Sequence, residues 1–282
     1  MKILKELIEN KKHLMSKRFL KLALYMLEHF EEITFVTSLK LAEKAGVSEA
    51  TVIRFAQFLE YTGFKNLKEN LQQEIKLKIT PKVKMKETIE RIKKKEDVFN
   101  NLLSIDKSIL SEVHHNCSEK SIDAAVKYLV KARIVYIIGL GISKAVVDFL
   151  EFRLNRLGYN VIAITDGGED VIDKLMGISK LDVIIGIGFF RPHKELIVAL
   201  EIAKQKKVPV IVITDSEFSL IATDANVILN AKRGPAELMT SLVAPMSVAN
   251  ILIMTLAMED KEKSIKLFAK LDELKEKYKL NK

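Results

Sequence analysis

The stretch LAEKAGVSEATVIRFAQFL, residues 41–59, decides the fold of the N-terminal part of the chain. Ala42 lies in a first helical pattern and is small enough for a second helix to cross it closely. Gly46 supplies a left-handed backbone, which residues with a Cβ adopt only at a cost. Ser48 is placed to cap a second helix, and Val52 belongs to the apolar face of that helix. The spacing predicts two short helices joined by a tight turn.

The two faces of the second helix differ in character. Apolar residues repeat at helical spacing on the inward face, at Val52, at Phe55 or Ala56, and at Leu59. The outward face is short and polar, and we predict that it contacts DNA through Ser48, Glu49, Ala50, Thr51 and Arg54. In a helix-turn-helix, the first residues of the second helix reach the bases of the major groove. An ordinary αα-hairpin is the alternative, and the joint spacing with an outward arginine favours DNA binding.

Charge is unevenly distributed over the 282 residues, which carry a formal net charge of +9. Residues 1–97 contain 21 Lys and Arg against 14 Asp and Glu, so they account for +7 of this charge. A basic N-terminal part suggests a phosphate backbone as its partner. The single cysteine excludes an internal disulfide, and no apolar run reaches membrane-spanning length. These features predict a cytoplasmic protein with no membrane partner.

Helical patterns flank the central stretch. Ser16 is placed to cap the start of a helix that precedes the central stretch. The apolar residues of this helix run from Phe19 to Phe30 at i, i+3 and i+4 spacing. After Leu59, a short loop with Gly63 leads into another helix. Lys65 lies at the start of that helix, so we predict that it contacts a flanking DNA phosphate.

The run LAEKAGVSEATVIRFAQFLEYTGF, residues 41–64, resembles the N-terminal domain of RpiR-type bacterial transcriptional regulators. The resemblance implies a C-terminal sugar isomerase (SIS) domain. Two departures stand out: the family has basic residues near Gln57 and Phe58, and a glycine where this chain has Glu60. Either the left-handed helix cap is kept at Glu60 at a conformational cost, or the helix ends differently.

Residues 81–97 are charged and poor in large apolar side chains, and Pro81 breaks the preceding helix. We interpret this segment as a linker that leads into a helix from about Val98 to His114. His114, His115 and Cys117 have neither a fourth ligand nor the spacing of a metal site. We therefore predict no metal centre and no cofactor.

The C-terminal part alternates apolar runs with helical patterns such as Ser143–Leu157 and His193–Lys206. Continuous apolar runs are typical of parallel strands buried on both faces. The predicted strands are Ile134–Ile138, Val161–Ile164, Val183–Ile187, Val210–Thr214 and Val227–Leu229. The sequence thus predicts an all-α helix-turn-helix domain followed by an α/β three-layer parallel-sheet SIS domain.

Ligands of such sheets bind at the carboxyl ends of the strands, so the loops after the first and third strands are the candidates. Gly139, Gly141 and Ser143 follow the first strand and allow backbone N–H groups to approach an anion. This loop resembles the first phosphate loop of SIS domains, and a complete dinucleotide fingerprint does not follow it.

The loop after the third strand departs from the SIS pattern. SIS domains that bind sugar phosphates carry a Ser-x-Ser-Gly-x-Thr run there, whereas this chain has the run GFFRPH, residues 188–193. Arg191 and His193, after Gly188, are able to replace the hydroxyls because a guanidinium offers paired donors to phosphate. Alternatively, the loop has lost ligand binding and Arg191 is a surface charge. Both interpretations stay open at this point.

Two further helices close the chain. A long apolar helix is predicted from Ala236 to Met258, and the last helix carries a narrow apolar seam through Leu267, Leu271, Leu274 and Tyr278. Such a seam suits another helix, so we predict a homodimer or a higher homo-oligomer. The predicted domain boundaries are 1–80 for the helix-turn-helix domain, 81–97 for the linker, 98–260 for the SIS domain and 261–282 for an amphipathic helix.

These features predict a regulator that binds double-stranded operator DNA. Its SIS domain is expected to dimerise and to sense a small phosphorylated sugar or a related anion. A ligand-independent dimeric scaffold is the alternative, because the hydroxyl loop is missing. A sugar-phosphate isomerase with Glu237 as its proton-transfer base is a third possibility, and the N-terminal domain and the scarcity of acid–base pairs argue against it.

Overall fold

The computed structural model describes residues 2–34, 36–78, 80–217, 219–235 and 238–279. They divide into two compact units. The first unit comprises Met1–Lys93 with Ala236–Met239, and the second comprises Lys94–Pro235 with Thr240–Lys282. Glu237, the predicted base of the isomerase alternative, and Ala236, the predicted start of the long apolar helix, lie outside the described residues.

The described part of the first unit is helical. Its helices are α1 (Lys2–Lys11), α2 (Lys17–Glu28), α3 (Phe30–Ile33), α4 (Ser38–Ala45), α5 (Glu49–Phe58), α6 (Phe64–Lys78) and α7 (Pro81–Ile92). Ser16 caps α2 as predicted, because its side chain accepts a hydrogen bond from the backbone N–H of Phe19. Leu22, Leu41 and Phe55 are fully buried and form part of the core on which α4 and α5 rest.

Most of the segment interpreted as a linker is helical. Thr80 caps α7 by accepting a hydrogen bond from Val83 N at 3.3 Å, and Pro81 occupies the first helical turn, where its missing N–H is harmless. The proline therefore starts a new helix as well as ending the preceding one. Only residues 93–97 separate α7 from the next helix, and they include a short 3₁₀ turn at Lys95–Asp97.

The second unit alternates strands and helices. Its elements are α8 (Val98–Asn116), α9 (Glu119–Lys131), β1 (Val135–Ile138), α10 (Lys144–Arg156), β2 (Val161–Ile164), α11 (Asp170–Lys174), β3 (Val183–Ile187), α12 (Lys194–Gln205), β4 (Val210–Thr214), β5 (Val227–Asn230), α13 (Val243–Glu259) and α14 (Lys261–Lys277). Each predicted strand is confirmed to within one residue at either end. Continuous apolar runs predict these strands well because β1, β3 and β4 are buried along their whole length.

The sheet has the order β2-β1-β3-β4-β5, and every pairing is parallel. One core cluster joins the sheet to α9, α10 and α13, and a second cluster joins the other side of the sheet to α11 and α12. The predicted three-layer α/β fold is therefore confirmed. Because β1 and β3 are neighbours while β2 lies on the far side of β1, the strand order reverses at the β1–β3 boundary, where such sheets bind ligands.

The helix predicted from Ala236 begins later, at Val243. Its residues are apolar on all sides: Val248, Leu252 and Leu256 are buried, whereas Ile251 and Met254 are about half exposed. No helix in the described ranges is long and apolar enough to cross a membrane alone, and α13 with α14 meets the length only across a bend of 105°.

The seam of α14 lies partly against its own chain. A Cβ on Gly158, at the end of α10, would lie 3.1 Å from Leu267 Cδ1, so these two residues are in contact. Leu274 and Tyr278 remain exposed. The first half of the seam therefore packs within the second unit, and its second half faces outward.

Arg133 and Asp182 form a bidentate ion pair beside the start of β3. Arg133 Nε and Nη2 donate to Asp182 Oδ1 and Oδ2 at 2.9 and 2.8 Å, and Ser179 N donates to Oδ2 at 2.8 Å. Burial raises the pKa of Asp182, but the hydrogen bonds from Arg133 and Ser179 outweigh it and hold this pKa below its usual value. The carboxylate thus fastens the loop before β3 to the segment before β1.

Candidate functional site

The turn between α4 and α5 has the predicted left-handed glycine. Gly46 adopts φ 62°, its N–H donates to Glu43 O at 3.2 Å, and Val47 N donates to Ala42 O at 2.9 Å. This pair of bonds is a Schellman motif, which satisfies the last carbonyls of α4. Lys21 Nζ donates to Gly46 O at 3.1 Å and fixes the turn to α2. The angle between the two helices is therefore held by backbone and side-chain bonds.

The start of α5 is capped as predicted. Ser48 Oγ accepts a hydrogen bond from Thr51 N at 3.3 Å. Glu49 Oε1 accepts one from Ser38 Oγ at 2.6 Å, which links the beginnings of α4 and α5. Ser48 and Glu49 are nevertheless exposed, so both remain accessible to a partner.

The predicted orientation of Thr51 is wrong. Its side chain is only 3 % exposed, and its Oγ1 lies 2.8 Å from Ser48 Oγ. Thr51 precedes the buried Phe55 by one helical turn, so both residues face the core. It supports the cap and does not extend into a groove.

Two residues that the sequence analysis missed complete the outward face of α5. Ile53 and Gln57 are exposed, three and seven residues after Ala50, and thus lie on the same side of the helix. Arg54 is also exposed, and its Nε donates to Ala50 O at 3.2 Å. We call the set Glu49, Ala50, Ile53, Arg54 and Gln57 the recognition face. Helical spacing from Ala50 is the signal that would have found the two missed residues.

The lysines at the start of α6 differ in their surroundings. Lys65 is exposed in the first turn, where a phosphate would meet both its charge and the positive end of the helix. Lys68 Nζ donates to Val36 O at 3.3 Å, and burial lowers the pKa of this lysine. Lys68 therefore supports the fold, whereas Lys65 remains available.

The end of α5 keeps the left-handed cap without a glycine. Glu60 adopts φ 72°, its N–H donates to Gln57 O, and Tyr61 N donates to Ala56 O. Lys11 Nζ lies 2.6 Å from Glu60 Oε1 and 3.0 Å from Phe58 O. The hydrogen bond and charge of Lys11 lower the pKa of Glu60. Lys11 thus binds both the strained residue and a terminal carbonyl of the helix.

The loops after β1 and β3 meet at the switch point of the sheet. Gly141 adopts φ 61°, and a Cβ on it would lie 3.3 Å from His193 Nε2. Gly139 is required by packing, since its Cβ would lie 2.9 Å from Val147 Cγ2. Ser143 is 5 % exposed and ends a 3₁₀ turn, so its hydroxyl is largely buried. The structure thus brings Gly141 and His193 together, as predicted for the two loops.

The loop after β3 is folded tightly against the sheet. A Cβ on Gly188 would lie 2.6 Å from Leu196 Cδ2, so a larger residue would have to displace the Leu196 side chain. Phe189 is buried, and Phe190 adopts the left-handed φ of 41°. Arg191 is exposed, with its Cζ 5.2 Å from the Phe190 ring centroid, and partial burial lowers the pKa of its guanidinium. Phenylalanine side chains therefore occupy the positions at which hydroxyls were expected.

Two charged residues that the sequence analysis did not assign to the site lie at the same edge. Asp215 follows β4, and both its oxygens accept the N–H of Phe190. Arg233 follows β5 and places its Cζ 4.2 Å from the Phe189 ring centroid. Their positions after predicted strands could have identified them as site residues, because the carboxyl ends of parallel strands share one edge of the sheet.

A metal centre finds no support in the described ranges. No group of three or more His, Cys, Asp and Glu side chains there is placed to hold a metal ion. The rings of His114 and His115 are 5.8 Å apart at the end of α8, and burial raises the pKa of the Cys117 thiol.

Two family models match the chain. The model of the helix-turn-helix domain of the rpiR family matches residues 1–78, and the SIS domain model matches residues 128–255. The chain thus carries an rpiR-family helix-turn-helix domain and a SIS domain. The order of the two matches is the order of the two units in the structure.

Known relatives agree with this assignment. The chain is 26 % identical over 235 residues to an uncharacterised HTH-type transcriptional regulator of Clostridium perfringens, covering 79 % of this chain and 82 % of that protein. The sugar isomerase domain of an RpiR transcription factor from Sphaerobacter thermophilus is 28 % identical, with a TM-score of 0.59, over 62 % of this chain and 98 % of that one.

One solved structure matches both units of this chain. The NanR protein of Vibrio vulnificus, solved with ManNAc-6P, is 23 % identical, with a TM-score of 0.64. The match covers 95 % of this chain and 97 % of that one. At this identity the likeness shows the fold of both units.

Proposed function

We propose that this chain is a dimeric regulator that binds operator DNA and whose SIS unit senses a small phosphorylated sugar. The observation that carries the DNA-binding part is the recognition face. It presents Arg54 on an exposed helix whose core side is closed by Val52 and Phe55. The model of the helix-turn-helix domain of the rpiR family covers the same residues.

Base recognition is assigned to the recognition face together with Ser48, and phosphate contact to Lys65. An arginine in the major groove donates two hydrogen bonds to guanine, and each such contact contributes about 1–3 kcal/mol of discrimination. Glu49 is suited to accept a hydrogen bond from cytosine. Ala50 offers the small surface that a thymine methyl group requires.

The experiment selects an operator from random duplexes and measures its affinity by fluorescence anisotropy. Arg54→Ala is expected to weaken specific binding by about 10–100-fold, whereas Arg91→Ala, an exposed arginine of α7, serves as the matched control. The logarithm of the binding constant is expected to fall linearly with the logarithm of salt concentration. Unchanged operator affinity in Arg54→Ala would refute the assigned face, and a flat salt dependence would refute DNA binding.

Dimerisation is supported by the outer face of α13. Ile251, Met254 and Met258 lie on one side of this helix and are 44–56 % exposed. A continuous apolar stripe on a helix is suited to a second copy of the chain. Sedimentation equilibrium of the full chain is expected to give a dimer that Met254→Glu dissociates. Met176→Glu, at an exposed methionine before β3, is the matched control.

A ligand-independent scaffold is the second candidate, and the loop after β3 favours it. Phe189 and Phe190 replace the hydroxyls, and Asp215 already accepts the N–H of Phe190. Operator affinity measured with and without a panel of sugar phosphates separates the two candidates. A shift in affinity supports the sensor, and no shift with any ligand supports the scaffold.

We also propose that the chain has no isomerase activity and acts in the cytoplasm. Its candidate acid–base groups are Glu237, which lies outside the described residues, and His193, which is exposed beside Gly141. An isomerase needs a paired acid and base at a phosphate anchor. A turnover assay with hexose and pentose phosphates tests this, and any activity that His193→Gln abolishes would contradict it.

A further inference from the structure

Three charged or aromatic residues meet at the carboxyl ends of β3, β4 and β5. Phe189 follows β3, Asp215 follows β4, and Arg233 lies three residues beyond β5. The guanidinium Cζ of Arg233 lies 4.2 Å from the centre of the Phe189 ring, and Phe189 is only 6 % exposed. The cation therefore stacks on a buried aromatic ring at the edge of the sheet where ligands of parallel sheets bind.

The hydrogen-bonding capacity of Arg233 is not used up. Its Nε is buried and has no hydrogen-bond partner within the ranges that the structure describes. Burial lowers the pKa of Arg233, and the charge of Asp215 opposes this shift. The guanidinium stays protonated, because its ordinary pKa lies far above neutrality. An unsatisfied buried donor opposes folding, so its presence calls for an explanation other than stability.

The backbone holds Arg233 in place. Its carbonyl oxygen accepts a hydrogen bond from Ser241 N at 3.2 Å. The following Gly234 adopts φ 90°, and a Cβ there would lie 3.0 Å from Ile109 Cδ1 of α8. The position of the side chain is thus fixed at both of its ends, by the peptide and by the Phe189 ring. A fixed guanidinium loses little entropy when it binds an anion.

The backbone donor of the neighbouring loop is already engaged. In an anion-binding loop, backbone N–H groups point at the ligand. Here the N–H of Phe190 donates to the carboxylate of Asp215, at 3.1 Å from each oxygen. A resident carboxylate therefore occupies this donor. An anionic ligand that reaches this edge has to find its donors elsewhere.

We propose that Arg233 is the anchor for the phosphate group of the effector. The inference rests on the proposed sensor function and adds to it the residue that binds and the chemistry that it binds. A phosphate monoester accepts two parallel hydrogen bonds from one guanidinium, and the guanidinium of Arg233 is able to supply both donors. Arg191, which is exposed on the ring of Phe190, takes no essential part in this contact.

The experiment measures ligand binding to the full-length protein by titration calorimetry. The probes are N-acetylmannosamine 6-phosphate, glucose 6-phosphate, glucose and glucuronate. Arg233→Gln removes the charge and the planar pair of donors, and Arg233→Lys keeps the charge alone. Arg191→Gln tests the other arginine at this edge, which the sequence offered as a phosphate ligand. Circular dichroism and thermal melting establish that each variant is folded.

The wild type is expected to bind at least one of the two phosphates and not glucose. Arg233→Gln is expected to weaken this binding by about 20-fold or more, and Arg233→Lys by about 3–10-fold, because a lysine cannot donate a planar pair of bonds. Arg191→Gln is expected to change it by less than about 3-fold, as for an exposed charge. The melting temperature of Arg233→Gln without ligand is expected to be unchanged or higher, because a buried unsatisfied donor is removed.

Several outcomes would overturn the assignment. Equal phosphate binding by Arg233→Gln and wild type removes Arg233 from the site, and the sensor function survives if the phosphate still shifts operator affinity. Failure of the wild type to bind either phosphate refutes Arg233 as a phosphate anchor and supports the ligand-independent scaffold. Operator binding is measured separately and does not depend on this result. Binding of glucuronate alone, lost in Arg233→Gln, refutes the phosphate and assigns a carboxylate ligand.

Discussion

The backbone N–H of Phe190 donates to both carboxylate oxygens of Asp215, and each N–O distance is 3.1 Å. Phe190 is one of the few residues other than glycine with a positive φ in the described ranges. A left-handed phenylalanine is strained, and such strain persists only where the surroundings impose it. The carboxylate of Asp215 therefore helps to hold the loop that follows β3 in this conformation.

The first prediction concerns Asp215→Ala. Losing the acceptor is expected to lower the free energy of unfolding by about 1–3 kcal/mol and to speed hydrogen exchange at the Phe190 amide. Chemical denaturation and exchange mass spectrometry measure the two effects. Asp224→Ala is the matched control, because its carboxylate pairs with Lys204 on the surface. Unchanged exchange at Phe190 would show that the loop holds its shape without Asp215.

The second prediction separates Thr51 from the recognition face. Because the Thr51 side chain is buried against Ser48, Thr51→Val is expected to lower the free energy of unfolding by about 1 kcal/mol. The preferred operator sequence is expected to stay the same, as selection from random duplexes would reveal. Gln57→Ala is the counterpart. It is expected to weaken or relax the operator preference and to change the free energy of unfolding little. A new base preference in Thr51→Val would return this residue to the DNA contacts.

The third prediction concerns the strained cap at Glu60. Glycine adopts a positive φ without a steric cost, so Glu60→Gly is expected to raise the melting temperature by about 2–5 °C. Glu60→Ala keeps the strain and loses the contact with Lys11, so it is expected to lower the melting temperature. Differential scanning calorimetry compares the three proteins. A lower melting temperature in Glu60→Gly than in wild type would show that the Lys11 contact outweighs the strain.

The fourth prediction concerns pH. The pKa of Asp182 in the folded chain lies below its usual value of 3.8, so folding favours the ionised form. Its stabilising contribution is complete above about pH 4 and is lost as the pH falls through the folded-state pKa. Asp182→Asn is expected to unfold more easily at pH 7, by about 1–3 kcal/mol, and to lose less stability than wild type on acidification.

Denaturation curves at pH values from about 2.5 to about 7 measure this difference in stability, because this range spans the usual carboxyl pKa. Asp148→Asn is the matched control, since Asp148 pairs with Lys144 at a half-exposed site. Parallel pH profiles for wild type and Asp182→Asn would show that Asp182 does not contribute to the acid sensitivity.

The strands were predictable because their signal is local. Val183–Ile187 is buried along its whole length, so every residue had to be apolar or glycine. The start of α13 was not predictable in the same way. Residues after Pro235 have good helix propensity, but the Arg233 carbonyl binds Ser241 N and the helix begins only at Val243. A contact across eight residues leaves no periodic trace in the sequence.

The sequence predicted helix α5 and its caps correctly, but it misplaced one side chain. The capping role of Ser48 and the left-handed Gly46 follow from the residues themselves. Thr51 was placed outward because it is polar, although its spacing from Phe55 places it on the core side. The contact between Arg233 and Phe189 joins residues on different strand ends, so only the folded chain brings it to light.

The all-parallel sheet affects the order in which the two units fold. Each pairing, such as that of Val135 with Val183, joins residues separated by an intervening crossover, so the sheet forms only after long loops have closed. The helices of the first unit depend mainly on contacts between neighbouring segments, which form much faster. During synthesis the helices of residues 2–92 are therefore expected to form while the strands of the second unit are still emerging from the ribosome.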